Sequence, residues 1–294
     1  MKIPMRKVFS RLALAALACA APLSIVTPAN GVSHADAPAA AKPLPFEPDE
    51  ELFFQGDFSK LMLRGIEIAE FHFTAGRAPA SNAANGARPA APNIVFRGDV
   101  RAGGWFRKLF GIDFHYSQES LVDPNGFLIL RTTKLDEQGK RVRASVAEFD
   151  RKADRVTWTQ RNPNDADAGP RIVTNTIRDA AHDIVSALYY LRTQPLAPGQ
   201  GFELVVSDDG QTRRVPVRVF ERKVMKTVAG RVPTLRLEVG LFGEGRLVSD
   251  RKGDMMLWLT DDARRLPVRA RLDADVGTLD IKLKKFTGGI PRQK

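Results

Sequence analysis

The segment VRARLDADVGTLDIKLK (residues 268–284) decides the fold class. Val268, Ala270 and Leu272 alternate with Arg269 and Arg271; beyond a turn, Leu279, Ile281 and Leu283 alternate with Asp280, Lys282 and Lys284. Successive side chains of a strand point to opposite faces, so a period of two gives each run one apolar and one wet face. The same period recurs toward the N-terminus. Leu235, Leu237 and Val239 show it, as do Val215, Val217 and Val219, and Ile112, Phe114 and Tyr116. Turn residues that tolerate positive φ stand between the runs: Asp123-Pro124-Asn125-Gly126, Gln138-Gly139, Asp208-Asp209-Gly210, Ala229-Gly230 and Arg251-Lys252-Gly253. Short connections of this kind join antiparallel neighbours. Pro216 lacks an amide donor and places its strand at an edge or at a bulge.

One segment breaks the rhythm. Asp179 can cap a helix that begins at Ala180, with Ile184, Leu188 and Leu191 at helical spacing and Val185 and Tyr189 widening the stripe. Pro195 ends it, because Gln194 is steered away from helical geometry. Ile184 to Leu191 is the expected longest helix. The expected fold is mainly β: a single strongly curved antiparallel sheet or barrel-like meander, with one principal α-helix packed against it or plugging it.

The N-terminus carries an export signature. Lys2, Arg6, Lys7 and Arg11 precede an apolar run from Leu12 to Val26, and Ala35-Asp36-Ala37 offers small residues for cleavage. Residues 1–37 read as a signal peptide that sends the chain to the periplasm. Ala16-Leu17-Ala18-Cys19 is the alternative, an outer-membrane lipoprotein signal acylated at Cys19. The apolar run is too short for a membrane span, and Pro22 interrupts it. Cys19 is the single cysteine in 294 residues, so the mature chain has neither a disulfide nor a thiolate metal ligand. Residues 38–49 read as a flexible lead-in, 50–288 as a single β-rich domain and 289–294 as a tail. The Ala/Pro/Asn-rich residues 75–92 read as a long mobile loop, because they hold too little apolar surface to offset their ordering entropy.

The helix segment Asp183-Ile184-Val185-Ser186-Ala187-Leu188-Tyr189-Tyr190-Leu191-Arg192, followed by Leu196-Ala197-Pro198-Gly199, resembles the bacterial exported family catalogued as domain of unknown function 3108. So do Leu63 to Phe71, the run from Val224 to Leu237 with Ala229-Gly230, and Trp258-Leu259-Thr260-Asp261-Asp262 with Arg265-Leu266-Pro267-Val268. Ala69 stands where family members usually carry Gly. The resemblance implies an envelope location and a mostly β fold, and carries over no catalytic residue.

No pattern in the chain calls for a cofactor, a metal or a catalytic group. His72, His115 and His182 are far apart and show no H-x-H or H-x-x-x-H pair. His182-Asp183 resembles the dipeptide of metal-dependent phosphohydrolases, which need more His and Asp ligands on other helices; here His182 is expected at the surface or as a cap. Ser186 lies in no G-x-S-x-G elbow and is expected in mid-helix, bonded back to the preceding turn. Asp261 and Asp262 with Arg264 and Arg265 read as an ionic turn, and Gly243-Glu244-Gly245 as a turn or bulge.

Charge is uneven. Gln211 to Lys294 holds 20 Lys/Arg against 10 Asp/Glu. In an exported chain such an excess either coats the solvent faces of strands or meets lipid head groups, lipopolysaccharide or acidic glycans instead of nucleic acid. If their strands lie side by side, Arg214, Arg218, Arg269, Arg271, Lys282 and Lys284 form a candidate anionic-partner patch. Trp105, Phe106, Arg107, Lys108 and Phe110, after Gly103-Gly104, form a candidate membrane or lid loop. The expected function is a non-catalytic binding or carrier protein for an amphiphilic or anionic component, such as a lipid, lipopolysaccharide or a glycan. An assembly factor docking on an envelope protein by its sheet edge is the alternative, and a hydrolase with a dispersed site the third reading.

Overall fold

The computed structural model describes residues 44–78 and 92–288, apart from 105–106, 109–110, 112, 166, 178, 249–251 and 276. The signal segment, residues 79–91 of the expected loop and the tail lie outside the described residues. Among the described residues, fifteen strands form one sheet. Its first half runs through β1 (Glu51–Lys60), β2 (Leu63–Arg77), β3 (Ile94–Ala102), β4 (Phe114–Asp123), β5 (Leu128–Gln138), β6 (Arg141–Asp150), β7 (Arg155–Arg161) and β8 (Arg171–Thr176). The second half comprises β9 (Ala181–His182), β10 (Gly201–Asp208), β11 (Gln211–Thr227), β12 (Gly230–Val239), β13 (Gly253–Thr260), β14 (Pro267–Ala274) and β15 (Gly277–Thr287). The spatial order descends from β8 to β1, then runs from β15 down to β9. The two halves therefore meet where β1 pairs with β15, and all pairs are antiparallel except β9 with β10.

The sheet rolls until its ends overlap. Leu204 and Val206 of β10 pack with Val215, Val217, Leu235, Leu237 and Leu257 in one cluster. Val205, on the opposite face of the same strand, packs on Ile129, Ala147, Phe149, Val156 and Trp158 of β5, β6 and β7. The β9–β10 end is thus tucked inside the β5–β8 arc, and the seam is closed by side chains instead of a backbone ladder. Asp209 and Gly210 form the turn to β11 with φ of 48° and 75°. A Cβ on Gly210 would lie 2.8 Å from that of Trp158, so only glycine lets the turn sit this close to β7.

The longest helix among the described residues, α1 (Ile184–Thr193), lies within the roll. Val185 and Tyr189 face an aromatic cluster with Phe46, Phe96 and Phe127, while Ala187 and Leu191 face the aliphatic cluster of β10–β13. Gly98 makes room for it, since a Cβ there would stand 2.9 Å from the Val185 side chain. The helix starts four residues later than the cap at Asp179 implies. Asp183 is the N-cap: its side chain accepts from the Ser186 amide at 2.8 Å, and the Ser186 hydroxyl accepts from the Asp183 amide at 2.9 Å. Ser186 is therefore a first-turn capping residue, and Ala181-His182 are left free to pair with β10.

Other expectations are corrected by packing. Residues 44–49 are not a free lead-in, because Phe46 is buried and the Pro45 carbonyl accepts from Arg192 at 3.0 Å. Residues 75–77 belong to β2. Pro216 lies in an interior strand and in no bulge: pairing of β11 with β12 begins at Val217, and the β11 bulge falls between Val219 and Glu221. The ionic turn does form, with Arg265 on Asp261 at 2.6 Å and the Arg264 and Arg265 amides on Asp262.

Candidate functional site

Strand order divides the six-cation patch. β14 and β15 are neighbours, with Arg269 opposite Lys282, but β12 and β13 separate β11 from β14. Acidic neighbours neutralise most of the rest. Arg269 grips Asp280 at 2.6 and 2.9 Å, Arg271 grips Asp273 at 2.8 and 3.1 Å, and Lys282 reaches Asp280 at 3.0 Å and Asp57 at 3.3 Å. Burial works to raise the Asp280 pKa, yet hydrogen bonds from Arg269 and Lys282 hold it below the ordinary value. Arg214 pairs with Asp179 at 2.9 Å and Glu203 at 3.3 Å; Arg218 is exposed beside the Phe220 ring, and Lys284 is exposed. Alternation put these cations on outer faces but could not show which acids the register brings opposite them.

Trp105, Phe106 and Phe110 lie outside the described residues. Arg107 and Lys108 are exposed on helical backbone instead of a loop: the Arg107 amide donates to Gly103 at 2.9 Å and that of Gly111 to Arg107 at 3.0 Å.

The histidines do not converge. His72 stacks on Phe53 at 4.2 Å beside Glu51, on β2. His115, on β4, bridges Asp99 and Glu137 at 2.7 Å each; burial opposes the charged ring, but the two carboxylates outweigh it and raise its pKa. His182 is neither a surface nor a capping residue. It is 1% exposed, stacked on Tyr190 at 4.0 Å, and burial lowers its pKa to about 4. Among the described residues no group of three or more His, Cys, Asp or Glu is placed to hold a metal.

Sequence reasoning missed the buried charges at the seam. Lys134 of β5 points into the roll and pairs with Asp208 at the end of β10, with Asp209 at 3.6 Å. Burial pushes Asp208 up to about 6, against the pull of Lys134, while the two carboxylates overcome the burial of Lys134 and raise its pKa. Thr132 donates to Asp183 at 2.6 Å beside them. The cavity lined by Thr132, Lys134, Ser145, Trp158 and Ser207 measures about 10 Å³. That is room for about one water, so this cluster works as a clasp across the seam.

The spacious site is at the rim. Antiparallel order brings the β1–β2, β3–β4, β12–β13 and β14–β15 connections to the same end of the roll. There the β1–β2 tip and the ends of β13, β14 and β15 enclose an open cleft of about 1030 Å³. Lys60, Arg64, Lys252 and Arg271 line it with Asp273 and Asp275. Asp273 is engaged by Arg271 and by Thr278 at 2.5 Å, whereas Lys60, Arg64 and Lys252 make no ion pair with a described residue. The tip is held by the Gly65 amide donating to the Ser59 hydroxyl at 3.0 Å. Its two turn residues, Leu61 and Met62, are 87% and 96% exposed. A second cleft, of about 640 Å³, opens at the other end beside Arg192, Asp261 and Arg265. Its charges are already spent, on Glu50 for Arg192 and on each other for Asp261 and Arg265. The rim cleft is therefore the candidate site. The sequence signal for it was Lys60-Leu61-Met62-Leu63-Arg64, an apolar turn between cations.

A family model described as "Protein of unknown function (DUF3108)" matches residues 62–284. No curated protein matches the chain. Among solved structures, a beta-barrel-like protein of domain of unknown function DUF1849 from Brucella abortus is similar at 8% identity and a TM-score of 0.53, over 83% of this chain and 98% of that one. The hypothetical protein CT021 from Chlamydia trachomatis aligns at 8% identity over 84% of this chain and 90% of that one, with a TM-score of 0.29. The Brucella structure supports the barrel-like fold and nothing about activity.

Proposed function

The chain belongs to the DUF3108 family, whose function is unknown, and on that premise we propose that it is an exported, non-catalytic binding protein of the cell envelope that takes an anionic or amphiphilic component in its rim cleft. The observation that carries this reading is the cleft itself: about 1030 Å³ of open space beside three cations without an acidic partner among the described residues. Unpaired cations at one end of a rigid wall attract a phosphate or carboxylate at low energetic cost, since no ion pair has to break first. Export rests on the basic and apolar N-terminal run, with periplasmic release as the proposed destination. Acylation at Cys19 is the competing anchor, and labelling with radioactive palmitate that vanishes in Cys19→Ala would establish it.

The test of the cleft is calorimetric titration with dihexanoylphosphatidylglycerol, a soluble anionic amphiphile. Binding should weaken on the order of tenfold or more in Lys60→Gln/Arg64→Gln/Lys252→Gln and fall with added salt. Equal binding by both proteins, or none by either, overturns the reading.

A second reading, docking on another envelope protein, has one observation in its favour. β8 ends the sheet, pairs only with β7 among the described strands, and is exposed along most of Arg171–Thr176. Such an edge can accept an added strand. Native mass spectrometry of protein isolated from periplasm separates the two readings, a retained polypeptide favouring this one and a retained lipid the first.

A further inference from the structure

We propose that the β1–β2 hairpin is a membrane-docking tip, which inserts Leu61 and Met62 into the surface of an anionic phospholipid bilayer while Lys60, Arg64 and Lys252 engage its phosphates. This rests on the reading of the rim cleft as an anion site and adds the partner to which the cleft is presented. Leu61 and Met62 are the most exposed large apolar side chains among the described residues, at 87% and 96%. They occupy a two-residue hairpin turn, where Gly, Asn and Asp are the usual occupants because positive φ costs them least. Leu61 nonetheless adopts φ 52°. One residue thus accepts both a left-handed backbone and 87% exposure of a branched apolar side chain.

Charge selects the occupant. The tip is bracketed by Lys60 and Arg64, and Lys252 stands across the cleft. Arg107 and Lys108 are exposed on the β3–β4 connection at the same end of the roll. A flat anionic surface can meet the tip and these cations together. Long basic side chains can hold their charges at the head groups while the turn enters the acyl boundary. Apolar insertion and attraction to anionic lipid are each weak alone, and their combination gives a reversible, salt-sensitive attachment.

The experiment is co-sedimentation of the mature protein, isolated after removal of its signal segment, with vesicles of phosphatidylcholine, with and without phosphatidylglycerol. Wild-type protein should pellet with the mixed vesicles, and much less with pure phosphatidylcholine or at high salt. Met62→Ser should reduce pelleting several-fold while leaving titration with dihexanoylphosphatidylglycerol unchanged, since Met62 is not part of the cleft wall. In Met62→Trp the indole emission should shift to the blue on adding mixed vesicles. Undiminished pelleting by Met62→Ser, an unshifted indole, or a wild-type protein that pellets with neither vesicle overturns the docking tip and leaves the cleft reading standing. Loss of short-chain lipid binding in the triple cation variant tests that reading separately.

Discussion

At the scale of single residues, the most informative side chain is His182, because its burial converts into a measurable pH dependence. Its folded pKa is about 4 against an ordinary 6.5. The unfolded chain therefore binds a proton first as pH falls, so the stability due to neutral His182 is complete above about 6.5 and is lost toward 4. Asp208 works in the opposite sense over nearly the same window. Its pKa is raised from 3.8 to about 6, so its protonation favours the folded state on acidification. The two effects are separated by comparing wild type with His182→Phe, which keeps a flat ring against Tyr190. The stability advantage of wild type over this variant should shrink by on the order of 3 kcal/mol between pH 7 and pH 4 in urea titrations. A constant difference across that range would mean that the ring is not held neutral by burial. Nothing local in Ala181-His182-Asp183 announced this, because burial of His182 depends on aromatic neighbours from Phe127 and Tyr190.

At the scale of elements, α1 shows how far periodicity reaches. The stripe of Ile184, Leu188 and Leu191 located the helix and its end, and Pro195 follows as expected. It did not rank the positions, because a helix enclosed on two sides has no single buried stripe. Leu191 is buried against β10–β13, whereas Ile184 and Leu188 are half-buried at its margin. Leu191→Ala should cost ~2–5 kcal/mol. Leu188→Ala should cost clearly less in the same denaturant series, and the reverse ranking would mean that the helix is rotated from the position described. Arg192 adds a constraint that no amphipathic plot contains. Its guanidinium is buried, donates to Glu50 at 2.5 and 2.8 Å, and also donates to the Pro45 and Arg264 carbonyls. The C-terminal turn of the helix is thereby tied to the segment that precedes β1.

At the scale of the whole molecule, the overlap of the two sheet ends depends on a few groups of unlike chemistry. Trp158 packs beneath Gly210, Asn175 donates to the Gly210 carbonyl at 2.7 Å, and Lys134 meets Asp208. Removing one partner of a buried ion pair leaves the other charge without compensation, which costs roughly 3–5 kcal/mol; replacing both with apolar groups of similar volume is often near neutral. Lys134→Met should therefore destabilise the protein by about that amount at pH 7, and Lys134→Met/Asp208→Leu should recover most of it. Near-UV circular dichroism and Trp158 fluorescence report whether the seam stays closed. A double variant as unstable as the single one would mean that the pair holds the seam by more than mutual neutralisation.

The amino-acid sequence by itself determined strands β4, β11, β12, β14 and β15, the turns that join β4 to β5, β5 to β6, β10 to β11 and β11 to β12, and the body and end of α1, because these follow from local periodicity and from residues with restricted backbone geometry. It also carried the family resemblance that the match over residues 62–284 bears out. The turns imply that consecutive strands are neighbours, but only the tertiary structure decided that β1 pairs with β15, where the rim cleft forms, and which acids meet the cations of the six-residue patch. Alternation tells which face a charge occupies, but side-chain rotamers and cross-strand register determine whether it meets an Asp two residues along, as Arg271 meets Asp273, one on the adjoining strand, as Arg269 meets Asp280, or one distant in sequence, as Lys282 meets Asp57. Among the described residues Lys60, Arg64 and Lys252 have no acidic partner, whereas Arg269, Arg271 and Lys282 do.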